Sequence, residues 1–174
     1  TDTLAAVASS GIYIQQSSFD LAIGHVSEVN VSVDVTRVHF NSTTSSLVES
    51  GVLAELDDLV TSDGPIKLVV LQGDLLIDDG VNNDGLGIDA GGSGDILLRA
   101  SGDIVLNAQL VSRQGNIAVQ AGDDIHSSAG IRTSGSGSVY LLAGNLVQGD
   151  NSLLTVDGIN LGDRIATASG NILL

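Results

Sequence analysis

The stretch Gly94-Asp95-Ile96-Leu97-Leu98-Arg99-Ala100 carries the pattern that decides the fold. A glycine and a short polar residue signal a turn, and the apolar residues that follow alternate with other side chains. This alternation is the period of a β-strand with one buried face. The chain is therefore predicted to consist of short strands and turns. The pattern returns at residues 102–108, 115–121 and 137–143 and, in shorter or looser form, at 73–78, 122–125, 144–147 and 170–174.

A longer repeat contains these strands. It begins at Gly94, Gly115 and Gly137, so its steps are 21 and 22 residues. Each step holds two strands of the motif and a third short segment, as at residues 109–113 and 130–133. A repeat of this length with three strands and three turns is typical of one coil of a parallel β-solenoid. We therefore predict an all-β fold, a right-handed parallel β-solenoid (β-helix) of about five coils with two acidic loop insertions.

Stacking of such coils places equivalent residues above one another. The buried positions of the motif are then expected to form columns of side chains inside the solenoid, with alanine small enough for a corner. The three predicted columns are Ile96, Ile117 and Val139; Leu98, Val119 and Leu141; and Ala100, Ala121 and Ala143.

The chain is predicted to be one continuous domain with a less regular beginning. Residues 1–63 are expected to form irregular N-terminal coils with a long insertion, and residues 64–174 the regular solenoid coils. Residues 11–14 and 19–24 look like the strands of an opening coil, and residues 29–38 alternate strictly, as a long strand does. Residues 47–60 have helical spacing but fit an irregular strand pair equally well. The insertions are expected at residues 78–93 and 149–163.

Charge and composition exclude several classes of function. The 174 residues include 21 acidic and 6 basic side chains, for a net charge of −15. Such a chain is unsuited to nucleic acid and to anionic membrane surfaces. The absence of cysteine excludes disulfides and thiolate sites, and no apolar run is long enough to span a bilayer. Of the acidic residues 18 are Asp, which favours turns and is a common calcium ligand.

The repeated strands, the opening segment at residues 11–24 and the Gly- and Asp-rich insertions resemble a known class of protein. They are similar to the β-helical parts of giant bacterial surface proteins, namely filamentous-haemagglutinin-like adhesins and the calcium-rich repeat proteins of planctomycetes. The resemblance implies a non-enzymatic, structural role as a rod- or fibre-forming module of an adhesin, stalk or filament, secreted or on the cell surface. It implies no individual functional residues.

The first insertion holds the best candidate for a metal site. Asp78, Asp79, Asn82 and Asp84 offer hard oxygen ligands within a few residues, and Asp89 is near. Calcium takes six to eight such oxygens from a flexible loop, so a calcium ion is the expected cofactor. The alternative is a polar surface loop without an ion. A weaker candidate set lies in the second insertion: Asp150, Asn151, Asp157, Asn160 and Asp163.

The polar residues of the turns have a structural explanation. Asp and Asn side chains hydrogen-bond nearby backbone amides, and they can form ladders when coils stack. Because stacked aspartates would repel one another, cations between coils are a second expectation. The predicted ladder residues are Asp95, Asp103, Asn116, Asp123, Asn145 and Asn171.

The two ends of the chain resemble each other, since residues 166–174 echo residues 6–14. A solenoid without caps exposes sheet edges and an apolar cross-section, which favours stacking of the protein on itself, head to tail. One module of a tandem array, separate chains docked end to end, and a piece of a longer chain all stay open. The residues expected in self-association are Thr1, Leu4, Ile12, Ile14, Ile172, Leu173 and Leu174.

Two other classes of function remain as alternatives. A β-helix can serve as a binding module for a glycan or another cell-surface target, and some β-helices are polysaccharide lyases or hydrolases. Paired carboxylates could act on a glycoside, but pairs are inevitable among 21 acidic residues, and there is no Trp to stack on a sugar. Arg99, Arg113 and Arg132 are interpreted as strand residues paired with Asp. We therefore predict that the protein is not an enzyme.

Overall fold

The computed structural model describes residues 2–144 and 158–174, and these contain strands but no helix. None of the described residues belongs to a helix able to cross a bilayer. The strands are β1 (Asp2–Leu4), β2 (Ala6–Ala8), β3 (Ile12–Gln16), β4 (Leu21–Ile23), β5 (Val29–Val38), β6 (Thr44–Leu53), β7 (Leu59–Thr61), β8 (Ile66–Val70), β9 (Leu75–Ile77), β10 (Leu86–Ala90), β11 (Ile96–Ala100), β12 (Ile104–Leu106), β13 (Gln109–Ser112), β14 (Ile117–Ala121), β15 (Ile125–Ser127), β16 (Ile131–Thr133), β17 (Val139–Leu142), β18 (Ile159–Leu161), β19 (Ile165–Ala166) and β20 (Ile172–Leu173).

The strands form three parallel sheets of six strands each. The first sheet has the order β1-β4-β9-β12-β15-β18, the second β2-β7-β10-β13-β16-β19 and the third β3-β8-β11-β14-β17-β20. The chain visits the three sheets in turn and then moves one strand along each of them. This is the predicted parallel β-solenoid, with about six coils rather than five. Coil 1 comprises β1, β2 and β3, and coil 6 comprises β18, β19 and β20.

The core consists of side-chain columns that run through the coils. In the third sheet Ile96 pairs with Ile117, and Ile117 with Val139, so the first predicted column is confirmed. The column of Leu98, Val119 and Leu141 is also confirmed. In the third column Ala100 pairs with Ala121 as predicted, while Ala143 follows the end of β17 and packs against the core. The Ile96 column continues to both ends of the stack through Ile12, Ile66 and Ile172.

One insertion is a long antiparallel hairpin. Strands β5 and β6 pair over ten residues each, from Val29 opposite Leu53 to Val38 opposite Thr44. The predicted strand at residues 29–38 is confirmed. The helical alternative for residues 47–60 is wrong, because the first half of that segment pairs with β5 and its end forms β7 in the second sheet.

The insertion predicted at residues 78–93 is shorter in the structure. Residues 86–90 form the regular strand β10 of the second sheet, so only residues 78–85 leave the stack. The hairpin lies between β4 and β7 of coil 2, and this loop lies between β9 and β10 of coil 3. Both leave the solenoid at the corner between the first and second sheets, in neighbouring coils. The root of the hairpin and the loop are therefore adjacent.

Candidate functional site

Three carboxylates meet where the hairpin joins the solenoid. Asp58 stands directly before β7 in coil 2, and Asp79 and Asp84 belong to the loop of coil 3. One carboxylate oxygen from each residue lies within 4.8 Å of the other two. We call Asp58, Asp79 and Asp84 the root cluster. Residues 58 and 79 are one coil apart in sequence, and this separation explains why stacking brings them together.

Two backbone hydrogen bonds hold Asp58 in place. Its amide donates a hydrogen bond to the Gly24 carbonyl (3.3 Å), and its carbonyl accepts one from the Ala6 amide (2.9 Å). Its φ is 64°, in the left-handed region that Asp adopts more readily than most residues. With this conformation the side chain points into the structure, and Asp58 is only 2% exposed.

The loop of coil 3 is folded by its own polar side chains. Asp84 Oδ1 accepts a hydrogen bond from the Leu86 amide (2.8 Å), and Asp79 Oδ2 accepts one from the Gly85 amide (3.1 Å). Asn83 Nδ2 donates to the Val81 carbonyl (2.7 Å). The bond between Asp84 and the amide two residues later is an Asx turn, which replaces backbone pairing in a loop. The hydrogen bonds fix Asp79 and Asp84, and the second oxygen of Asp84 accepts a bond from Asn82 Nδ2 (3.4 Å).

Two oxygens of the root cluster are buried and receive no hydrogen bond from any described residue: Asp58 Oδ1 and Asp79 Oδ1. The second oxygen of Asp58 accepts a hydrogen bond from Asn82 Nδ2 (3.1 Å). Burial raises the pKa of Asp58 above its usual value, and the nearby charges of Asp84 and Asp57 act in the same direction, while hydrogen bonding by the Asn82 side chain and by the Gly80 backbone opposes them. The site therefore lacks positive charge for its carboxylates.

The histidine that contacts Asp57 serves that carboxylate and not the root cluster. His25 Nδ1 lies 2.9 Å from Asp57 Oδ1, which also accepts a hydrogen bond from the Val81 amide (3.1 Å). The other ring nitrogen of His25 bonds Ser27. Among the ion pairs of the described residues, none includes a member of the root cluster. His25 and Asp57 join the hairpin root to the loop without neutralising the cluster.

The structure brings together only part of the predicted ligand set. Asp79, Asn82 and Asp84 gather around Asp58. Asp78 instead accepts a hydrogen bond from Asn107 Nδ2 (2.8 Å) in coil 4. Asp89 forms an ion pair with Arg113, with Nη2 2.6 Å from Oδ2, as predicted for that arginine.

The sequence reasoning missed Asp58, although a signal was present. Asp57 and Asp58 form an acidic pair one coil before Asp78 and Asp79. In the weaker candidate set, Asp150, Asn151 and Asp157 lie outside the described residues. Asn160 lies in β18, and Asp163 Oδ1 accepts a hydrogen bond from the Arg164 amide (2.7 Å).

The predicted polar ladder runs along the turns before the third sheet. Asp95 Oδ1 accepts a hydrogen bond from the Asn116 amide (2.6 Å), and Asn116 Oδ1 accepts one from the Ser138 amide (2.9 Å). Ser138 Oγ in turn accepts one from the Asn171 amide (3.1 Å). The ladder roles of Asp95 and Asn116 are thus confirmed, and Asn171 contributes its amide, whereas Asn145 lies outside the described residues.

A second ladder runs along the turns before the first sheet. Asp74 Oδ1 accepts a hydrogen bond from the Asp103 amide (2.8 Å), and Asp103 Oδ1 accepts one from the Asp124 amide (2.9 Å). Asp20 holds the Asp74 amide in the same way (3.0 Å). The acceptor role of Asp103 is confirmed, but Asp124 takes the place predicted for Asp123. Each carboxylate of this ladder is stabilised by a backbone amide of the next coil.

The predicted self-association residues lie at the two ends of the stack, except Thr1, which is outside the described residues. At the first coil Ile12 is buried, while Leu4 and Ile14 are half-buried and pack against the core. At the last coil Ile172, Leu173 and Leu174 are exposed. Ile172 pairs with buried Val139 and points along the inner column, whereas Leu173 pairs with half-buried Tyr140.

A groove of about 400 Å³ lies near the turns between the third and first sheets. Its described lining contains one charged side chain, Arg99, with Gln120 beside it.

Comparison with protein-family models, with curated proteins and with solved structures finds no match for this chain.

Proposed function

We propose that this protein is a structural, non-enzymatic rod: a module of a secreted or cell-surface adhesin, stalk or filament that stacks end to end. The observation that carries the proposal is the apolar column that runs unbroken through the coils from Ile12 to Ile172. Each coil is the template for the next one, so the rod has no built-in limit to its length.

The hydrogen bonds at the turns support a structural role for the protein. In both polar ladders a side chain of one coil accepts a hydrogen bond from a backbone amide of the next coil, in addition to the hydrogen bonds of three sheets. Such repeated bonds between coils favour a stiff rod. The extracellular setting, adhesion and a fibre are supported by the resemblance of the repeat motif to bacterial surface proteins.

The ends support stacking of the protein on itself. The strand order within coil 6 is the same as within coil 1, so the third-sheet strand β20 of one copy can pair with β3 of the next. In that arrangement Ile172, which is 46% exposed, would cover Ile12 and lose its contact with water. The stacking is head to tail and does not close, so it generates filaments.

Negative-stain electron microscopy of the purified chain, with calcium and with a chelator, tests the proposal. We expect thin filaments whose repeat is one module. Ile172→Asp should shorten or abolish them, because a charge would be buried at the contact. The matched control is Leu173→Asp, which places the same charge on the same strand at a side chain that is 59% exposed and points outward.

Isolated short particles in every condition would contradict self-assembly. Equal loss of filaments in both variants would contradict the proposed contact between Ile172 of one copy and Ile12 of the next. Circular dichroism of both variants checks that the coils remain folded, so that loss of filaments reports the end contact.

A further inference from the structure

We propose that the root cluster, Asp58, Asp79 and Asp84, binds one calcium ion that links the root of the hairpin to the loop of the next coil. The inference goes beyond the rod function and does not rest on it. It concerns the joint between coils 2 and 3, whatever the ends of the stack do.

The geometry of the cluster fits a single ion. Calcium lies about 2.3–2.6 Å from each oxygen ligand, so two oxygens on one ion are at most about 5 Å apart. The three carboxylates offer oxygens within 4.8 Å of one another. One ion between them can therefore contact all three with little movement of the backbone.

The buried oxygens are the independent sign of a ligand. Buried polar atoms in folded proteins nearly always have a partner, and a buried carboxylate oxygen without one is costly. Asp58 is 2% exposed, and its Oδ1, like Asp79 Oδ1, receives no hydrogen bond from any described residue. Both oxygens belong to carboxylates of the cluster that would hold the ion. A cation supplies the positive charge that His25, bound to Asp57, does not supply.

The donor set favours calcium over other metals. All three side chains offer oxygen, and neither a histidine nitrogen nor a thiolate belongs to the cluster, which argues against zinc and other softer metals. Asn82 donates its Nδ2 to Asp58 Oδ2 (3.1 Å) and to Asp84 Oδ2 (3.4 Å), so it orients two carboxylates of the cluster rather than supplying a ligand oxygen. Asp84 is exposed, so water can complete the six to eight ligands of calcium. Magnesium needs a tighter octahedral site at about 2.0–2.1 Å.

The ion would change how the hairpin is attached. Among the described residues, the hairpin root contacts the loop through Asp57 and Asp58, which bind Val81 and Asn82. A calcium ion would add bonds from Asp58 to Asp79 and Asp84, across the two coils. The hairpin would then leave the rod from a clamped joint, and chelation would loosen that joint without dissolving the core.

Isothermal titration calorimetry of the chelator-treated full chain with calcium chloride tests this site. We expect Asp58→Asn and Asp79→Asn each to weaken one calcium site at least tenfold. Asp78→Asn is the matched control: it removes the same charge from the same loop, but its carboxylate binds Asn107. Its affinity should stay within about threefold of the unmodified chain. Magnesium chloride should bind at least tenfold more weakly than calcium.

Several results would overturn the proposal. These are no calcium binding at millimolar concentration, calcium binding that Asp58→Asn and Asp79→Asn leave unchanged, an equal loss of affinity in Asp78→Asn, and magnesium binding as tight as calcium binding. Asn tolerates the left-handed backbone of residue 58, so Asp58→Asn should fold. If circular dichroism shows that it does not, exposed Asp84→Asn takes its place, with the same tenfold loss expected.

Discussion

Small residues at the turns let the coils approach closely. Buried hydroxyl groups at the end of the second sheet each bind a carbonyl of a repeat glycine or its equivalent. The bonds run from Thr61 to Gly64 (2.7 Å), from Ser112 to Gly115 (2.9 Å) and from Thr133 to Gly137 (2.9 Å). These three hydroxyl groups are thereby satisfied, which avoids the cost of a buried hydroxyl without a partner.

The repeat glycines are required for a steric reason. A Cβ at Gly115 would overlap the carbonyl of Gly94 in the coil below, and one at Gly137 would overlap that of Gly115. The obstacle is backbone, which cannot rotate away. The glycine of the G-[Asp/Asn/Ser] motif therefore marks contact between coils as well as a turn.

We predict that Gly115→Ala lowers the free energy of unfolding by at least about 1–3 kcal/mol, the usual cost of overpacking. Urea denaturation followed by circular dichroism measures this. Gly51→Ala in the hairpin is the control, because a Cβ there meets no heavy atom within 4 Å. It should change stability by less than about 0.5 kcal/mol. Equal effects at the two positions would contradict the steric explanation.

At the scale of the element, the hairpin is a projection rather than a part of the core. Both faces of β5 and β6 are largely exposed, and the buried core cluster contains none of their residues. Val29, Val31 and Val33 line one face, with the Arg37–Glu49 ion pair further along it. A two-stranded hairpin of this kind is only marginally stable by itself.

We predict that replacing residues 29–53 by a short glycine linker leaves the solenoid folded, with a change in the free energy of unfolding below about 1 kcal/mol. The reason is that no apolar area of the stack is lost. Urea denaturation of the shortened and full chains measures the difference. The Val26–Leu56 bridge at the root stays in the shortened chain. A shortened chain that unfolds or aggregates would show that the hairpin protects the rod.

At the scale of the whole molecule, stability is distributed along the rod. Coils in the middle have neighbours on both sides, and Leu68, Leu98 and Val119 are fully buried there. The last coil has a neighbour on one side among the described residues, and Ile172 is exposed. In a stacked repeat protein, end units therefore open more easily than central ones.

Hydrogen exchange followed by mass spectrometry should show this gradient. We predict the slowest amide exchange in β11 and β14 and the fastest in β20, by at least tenfold. Raising the protein concentration should slow exchange in β20 and leave β11 unchanged, because stacking covers the end coil. Uniform amide exchange along the rod would contradict the gradient. An exchange rate in β20 that does not change with protein concentration would contradict end-to-end stacking.

The regular part of the fold could be predicted from local patterns. The alternation in residues 96–100, the glycine before it and the return of both every 21 or 22 residues determine the strands, the columns and the turn ladders. These features depend on neighbours in the chain and on simple translation from one coil to the next. The number of coils was underestimated because the repeat motif is weak in the strands before Gly64.

Only the tertiary structure decided the irregular parts. The apolar spacing in residues 47–60 fits a helix, but pairing with β5 makes the first half a strand. Asp58 joins Asp79 and Asp84 because two insertions leave the same corner in neighbouring coils, and the position of that corner is a property of the stack. The period of the apolar residues and the residues of the turns are local features that can be recognised in the sequence. Contacts between insertions depend instead on how all the coils are placed.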